Sequence, residues 1–235
     1  MKNQVVERFS DFYEKWIWRL EEIFQHLLEV SKQINTPLKT EQELQALVSR
    51  VTTHLKEYYT VKWASAHDDV LVFFSPTWLS PLENAYLWMT GWKPSMVFKV
   101  LESTRNNVLE MTEEQQRKTK ELRVRIRMEE EKVEREMERQ QVAMADRKMV
   151  ELVKLCSRAR NGGEVDVEVA MKGVLGGLER VMKASDCVRL KALKGVLDLL
   201  SPMQSVHFLA ANIAMQLRLR QWGKKRDVSS PNDIN

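Results

Sequence analysis

The side chains here with types suited to chemistry are few: four histidines, His26, His54, His67 and His207, and two cysteines, Cys156 and Cys187. His67-Asp68-Asp69 has the types for a metal or a general base. Adjacent side chains on a helix diverge by about 100°, however, and no second cluster offers further ligands. These three read as solvent-facing. Neither cysteine stands in a Cys-x-x-Cys or zinc-type spacing, so reduced thiols of an intracellular protein are expected. There is no Gly-x-Ser-x-Gly elbow, no Walker loop and no His-Glu-x-x-His. Gly173-x-x-Gly176-Gly177 comes nearest to a phosphate loop, but it lies inside an apolar helical pattern, where small residues let helices approach. Arg123, Arg125 and Arg127 imitate a nucleic-acid-binding basic region until Glu129, Glu130 and Glu131 cancel their field. The inventory argues against an enzyme and calls for no metal or cofactor.

Charge is more informative. The net charge of +4 is matched by residues 215–227, where Arg218, Arg220, Lys224, Lys225 and Arg226 face only Asp227, so the remainder sums to zero. Duplex DNA needs cations spread along a face, and specific DNA binding by this chain alone is not expected. Two readings of the basic stretch stay open: a patch for partners, nuclear import or a membrane surface, or cations that merely complement a helix C-terminus.

Long helices must carry these residues. Glycine and proline are scarce, and no proline falls between Pro94 and Pro202, which suits an all-α fold. The chain is expected to form a single domain over residues 6–226, of seven or eight helices, with residues 227–235 as a disordered tail. Phe9, Phe12, Tyr13, Trp16, Leu20, Ile23, Phe24, Leu27 and Leu28 recur at three and four, the mark of an amphipathic first helix. Trp18 falls about 200° from Trp16 on that helix and should be exposed, a candidate partner anchor beside Arg19 and Glu22. Thr36-Pro37 marks a turn, and Thr40-x-x-Glu43 starts a second helix. Ser80 to Met89 reads as a third and Pro94 to about Arg105 as a fourth.

Thr112-x-x-Gln115 opens a long charged central helix, expected to reach Arg158 and to stop at Asn161-Gly162-Gly163. Its apolar residues Leu122, Ile126, Val133, Met137 and Met144 form an eleven-residue repeat. That seam suits packing on its own domain, with self-association into a homodimer as the alternative. Two more helices are expected, Val165 to Ala184 and Asp186 to Leu200, before the last from Pro202 to Trp222. The longest apolar stretch, Val70 to Phe74, is far too short for a membrane span. Charges within the first ten residues argue against a signal peptide.

Two helix starts share a pattern. Ser80-Pro81-Leu82-Glu83 and Ser201-Pro202-Met203-Gln204 each set a capping serine, a proline at the first helical position and a Glu or Gln that reaches back to the cap. With Trp16, Pro76, Trp78, Trp88, Gly91, Asp186-x-x-Arg189 and Trp222-Gly223, these segments resemble the plant Delay of Germination family and the related C-terminal domain of TGA transcription factors. The resemblance runs from about Val6 to Arg226. It implies an intracellular regulator, in the nucleus or cytoplasm, acting in seed dormancy, abscisic-acid or salt responses. Type 2C protein phosphatases or TGA-type factors are the implied partners, with no DNA-binding zipper in this chain. Transcriptional regulation through a zipper-bearing partner, or a membrane-periphery adaptor, are the alternatives. Some members of that family carry a histidine pair suited to haem in the last helix; the matching positions are Gln216 and Arg220, so no haem is expected. The residues expected to contact partners are Trp18, Arg218, Arg220, Lys224, Lys225 and Arg226.

Overall fold

The computed structural model describes residues 2–32, 40–107, 110–143, 150 and 164–229. Among these the chain forms eight helices, α1 (Lys2–Lys32), α2 (Glu41–Asp68), α3 (Leu71–Phe74), α4 (Pro81–Ala85), α5 (Met96–Asn107), α6 (Glu113–Ala143), α7 (Glu164–Leu197) and α8 (Pro202–Ser229). No strand occurs among them, only an isolated antiparallel bridge between Trp88 and Gly91. The fold is all-α, as the periodicity and proline distribution predict.

α8 is the helix on which the others assemble. It packs against α1, α2, α4 and α5, while α6 and α7 pair with each other beside them. Phe9, Leu20 and Leu27 of α1, Val51 of α2, and Phe208 and Leu209 of α8 are fully buried in the shared core. Truncating residues of this kind leaves cavities that the surroundings only partly refill.

Each of the four helix starts that the sequence marks is capped as expected. Thr40 and Ser80 each accept from the N–H three residues on, and Glu43 and Glu83 accept from the cap N–H in return. Thr112 with Gln115 and Ser201 with Gln204 make the same reciprocal pairs. Gln115 and Gln204 also bond each other at 2.8 Å, so the starts of α6 and α8 are tied together. Ser201→Ala should lower stability by roughly 0.5–2 kcal/mol in a urea titration; an unchanged midpoint would mean that the glutamine network alone holds this helix end.

The α6 seam packs inside the domain. Leu122, Ile126 and Val133 are buried and Met137 lies against the core. α7 meets this face with small residues, since a Cβ at Gly195 would lie 2.8 Å from Leu122 and one at Gly177 would collide with Gln140. Gly173 and Gly176 do not share that role; a Cβ at Gly173 would meet nothing.

Several expectations need correction. The sequence pattern predicts two helices over residues 165–200, yet α7 runs unbroken through Ser185 and Asp186, because both side chains are satisfied inside the protein instead of capping a helix start. The helix from Ser80 ends at Ala85, since Trp88–Gly91 closes a tight turn with Met89 at φ 56°. The short α3 went unpredicted. α1 begins seven residues before Phe9, and α8 continues past Arg226 to Ser229. Thr36-Pro37, Met144, Cys156, Asn161-Gly162-Gly163, the end of the central helix near Arg158 and residues 230–235 lie outside the described residues.

Candidate functional site

α1 sets its two neighbouring tryptophans to opposite purposes. Trp16 is buried, stacks on His54 at 5.2 Å and donates from Nε1 to His54 O at 2.9 Å. Trp18, two residues on, is 60% exposed. Across from it lies the C-terminal part of α8, and between the two helices is a cleft of about 280 Å³ lined by Trp18, Glu21, Leu217, Gln221 and Lys224. Glu21, Leu217 and Gln221 also line a larger groove of about 620 Å³, floored by Phe24, Leu28, Ala210, Ala211 and Ala214. The two depressions meet at these shared residues as a channel along α1 and α8, with Ser103 and Thr104 of α5 completing the larger one. An exposed aromatic beside an apolar groove is the make-up of a partner anchor, since a large rigid ring leaves water with little loss of side-chain entropy.

The α1–α8 pairing is held from beneath by Arg220. Its guanidinium is 4% exposed, pairs with Glu14, lies 3.6 Å from Glu83 and donates to Trp78 O at 3.2 Å. It also stacks over Tyr13 at 5.0 Å. Arg220 therefore leaves the group of expected partner contacts: its charge is spent inside, joining α1, α8 and the loop before α4. Arg218, Lys224, Lys225 and Arg226 are exposed, as is Trp222 at 62%. Gln216 donates its amide to Asn212. With an amide at one position and a committed guanidinium at the other, this pair does not fit axial haem ligation.

The motif residues frame this pairing. Trp78 is buried against Phe9 at 4.6 Å and Phe73 at 5.5 Å. Pro76 is buried beside it, Pro81 opens α4, and Glu83 is buried while capping Ser80. Gly223 of α8 crosses directly over that cap, where any side chain would strike Ser80 Oγ. Trp88 donates from Nε1 to Glu134 of α6 at 2.8 Å.

A second constellation was missed from sequence. Lys62, Asp186 and Arg189 are buried together: Lys62 Nζ donates to Asp186 at 2.9 Å, and Arg189 to the same carboxylate at 2.5 Å. Both cations also bind the Trp88–Gly91 turn. Lys62 donates to Thr90 O at 3.1 Å, while Arg189 donates to Trp88 O and Trp92 O at 2.6 Å each. Trp63 Nε1 completes the carboxylate. The signal for Lys62 was its place in the apolar stripe Leu55, Tyr59, Lys62, Ala66, where a lysine needs an internal partner. With two cations for one carboxylate, this cluster clamps a turn.

Burial pushes the Lys62 ammonium down to about 8, against the pull of Asp186 and helped by Arg189. The unfolded chain holds that proton more tightly, so stability should rise as pH increases from about 8 towards 10. Burial pushes Tyr13, Tyr58 and Tyr59 up, so unfolding releases their protons above about pH 10 and stability should fall again. Thermal midpoints from pH 7 to 11 should therefore pass through a maximum in the alkaline range; a steady fall across it would contradict the buried-lysine account.

No group of three or more potential metal ligands occurs among the described residues, and none of their helices is long and apolar enough to cross a membrane.

Comparison with known proteins adds a separate line. The profile of a family described as seed dormancy control matches residues 25–103. Protein DOG1-like 4 of Arabidopsis thaliana is 51% identical over 226 residues, covering 96% of each chain. Protein RESPONSE TO ABA AND SALT 1 of the same plant is 28% identical over 225 residues, 94% of this chain and 96% of that one. The TGACG-sequence-specific DNA-binding protein TGA-2.1 of Nicotiana tabacum is 30% identical over 218 residues, which cover 90% of this chain but 45% of that protein.

Proposed function

Since this chain belongs to the DOG1 family of seed dormancy control and is a plant regulatory protein of that family, we propose that it acts without catalysis, by binding other proteins through the α1–α8 face. The observation that carries this reading is Trp18, exposed on the cleft that adjoins the larger α1–α8 groove while Trp16 of the same helix is buried. Abscisic-acid and salt responses are the setting that similarity to RESPONSE TO ABA AND SALT 1 favours. Type 2C protein phosphatases are the partner class that the family resemblance suggests, in the nucleus or cytoplasm.

A second reading draws on similarity to TGA-2.1: the chain works in transcription through TGA-type factors and touches no DNA itself. The neutral body favours this division of labour, since the excess cations sit on one helix end.

The test is a binding isotherm. The partner is first recovered from plant tissue by affinity capture on the full chain. Trp18→Ala should then weaken it by more than about 1 kcal/mol, the scale of an interface hot spot, with the melting curve nearly unchanged. Unaltered affinity would remove Trp18, and with it this face, from the reading.

A further inference from the structure

The walls of the α1–α8 channel differ in sign. On the α1 side the rim carries Glu14 and Glu21, with Glu22 and Glu29 exposed beyond them. On the α8 side it carries Arg218, with Lys224 paired to Glu14 at 3.7 Å across the cleft and His207 farther along. Glu21 and Arg218 make no ion pair or hydrogen bond among the described residues, so both charges point at whatever enters. The floor is apolar and largely alanine, which lets a backbone lie close. From Glu14 to Ser31 on α1 and from Lys224 to His207 on α8 the lining spans eighteen residues, about 26 Å of helix.

These dimensions and charges select among occupants. An anionic lipid surface or a nucleic acid would be attracted by Arg218 but repelled at the same rim by Glu21. A flat bilayer would also leave the floor unfilled. An extended peptide would expose backbone groups with no sheet edge to receive them. A helix satisfies its own backbone, matches the length and can answer both walls at once.

We propose that this channel takes an amphipathic helix of a protein partner, with an acidic flank against Arg218 and a basic flank against Glu21. This rests on the reading of the α1–α8 face as a docking site and specifies the chemistry of what docks. The apolar stripe of such a helix covers Phe24, Leu28 and the alanine floor, and Trp18 closes over its end. The opposed walls fix its rotation about its own axis, because turning it over would set like charges against each other on both sides.

The test uses a displayed library of helices of about 18 residues, with a fixed apolar stripe and both flanks randomised among Glu, Lys and Gln, selected on the full-length chain. Wild-type chain should enrich sequences acidic on one flank and basic on the other by about tenfold or more over uniformly charged ones. Arg218→Glu should switch the acidic flank to basic and leave the other unchanged; Glu21→Lys should switch only the basic flank. Melting curves of both variants serve as the folding control. Selection of the same sequences by all three proteins would overturn the charge assignment while keeping the face as a docking site. Failure of every sequence to enrich would overturn the proposal and the docking face together. Sedimentation of the chain with phosphatidylserine vesicles, lost on Arg218→Glu, would overturn it in favour of a lipid surface.

Discussion

Asp186→Ala should cost about 3–5 kcal/mol, a large part of the 5–15 kcal/mol by which a domain of this kind is stable. The loss comes less from the missing bonds than from what remains. Lys62 and Arg189, at 0% and 1% exposure, would be left as adjacent buried cations with no carboxylate between them. Their hold on the Trp88–Gly91 turn would weaken too, since each would be driven towards water. Lys62→Met is the informative companion. It removes the surplus cation, leaves the Asp186–Arg189 pair intact and fills the stem's space with an apolar chain, so it should cost far less. Urea midpoints for the two variants should differ by well over 1 kcal/mol in that order. Similar small losses would mean that water reaches the cluster and the charges are not isolated.

Trp78→Ala should cost a similar amount, about 3–5 kcal/mol, for a different reason. The indole fills the space between Phe9, Phe73 and the start of α4, and its own carbonyl receives Arg220. Truncation opens a cavity and slackens the loop that Arg220 uses to tie α8 to α1. Binding should be lost only in proportion to unfolding, the reverse of Trp18→Ala. Paired melting curves and isotherms separate the two. Equal destabilisation by both changes would place Trp18 in the core and leave the docking face without its anchor.

How legible each feature was depends on the distance over which its cause acts. Thr40, Ser80, Thr112 and Ser201 were readable as helix starts because a cap is settled within four residues. The buried stripe of α1 and the inner seam of α6 were readable because periodicity is a property of one helix. Ser185-Asp186 misled for the same reason: locally it resembles a cap, and only Lys62, more than a hundred residues away, shows why the helix continues. Arg220 misled likewise, since four other cations within a few residues suggested a surface patch, whereas Glu14 and Glu83 draw it inward from other elements. Trp18 was readable as exposed from its angle on α1, but not the channel beside it, which exists only where α1 meets α8.

That meeting has a consequence for synthesis in the cell. α1 leaves the ribosome ahead of α8, a helix it packs against, which follows some 170 residues later. At 5–20 residues per second, the part of the buried α1 face that packs on α8 waits roughly 10–35 s for its cover. Nascent chains stalled before Pro202 should accordingly bind hydrophobic-segment chaperones and be readily cut by protease, and shed both traits once α8 has emerged.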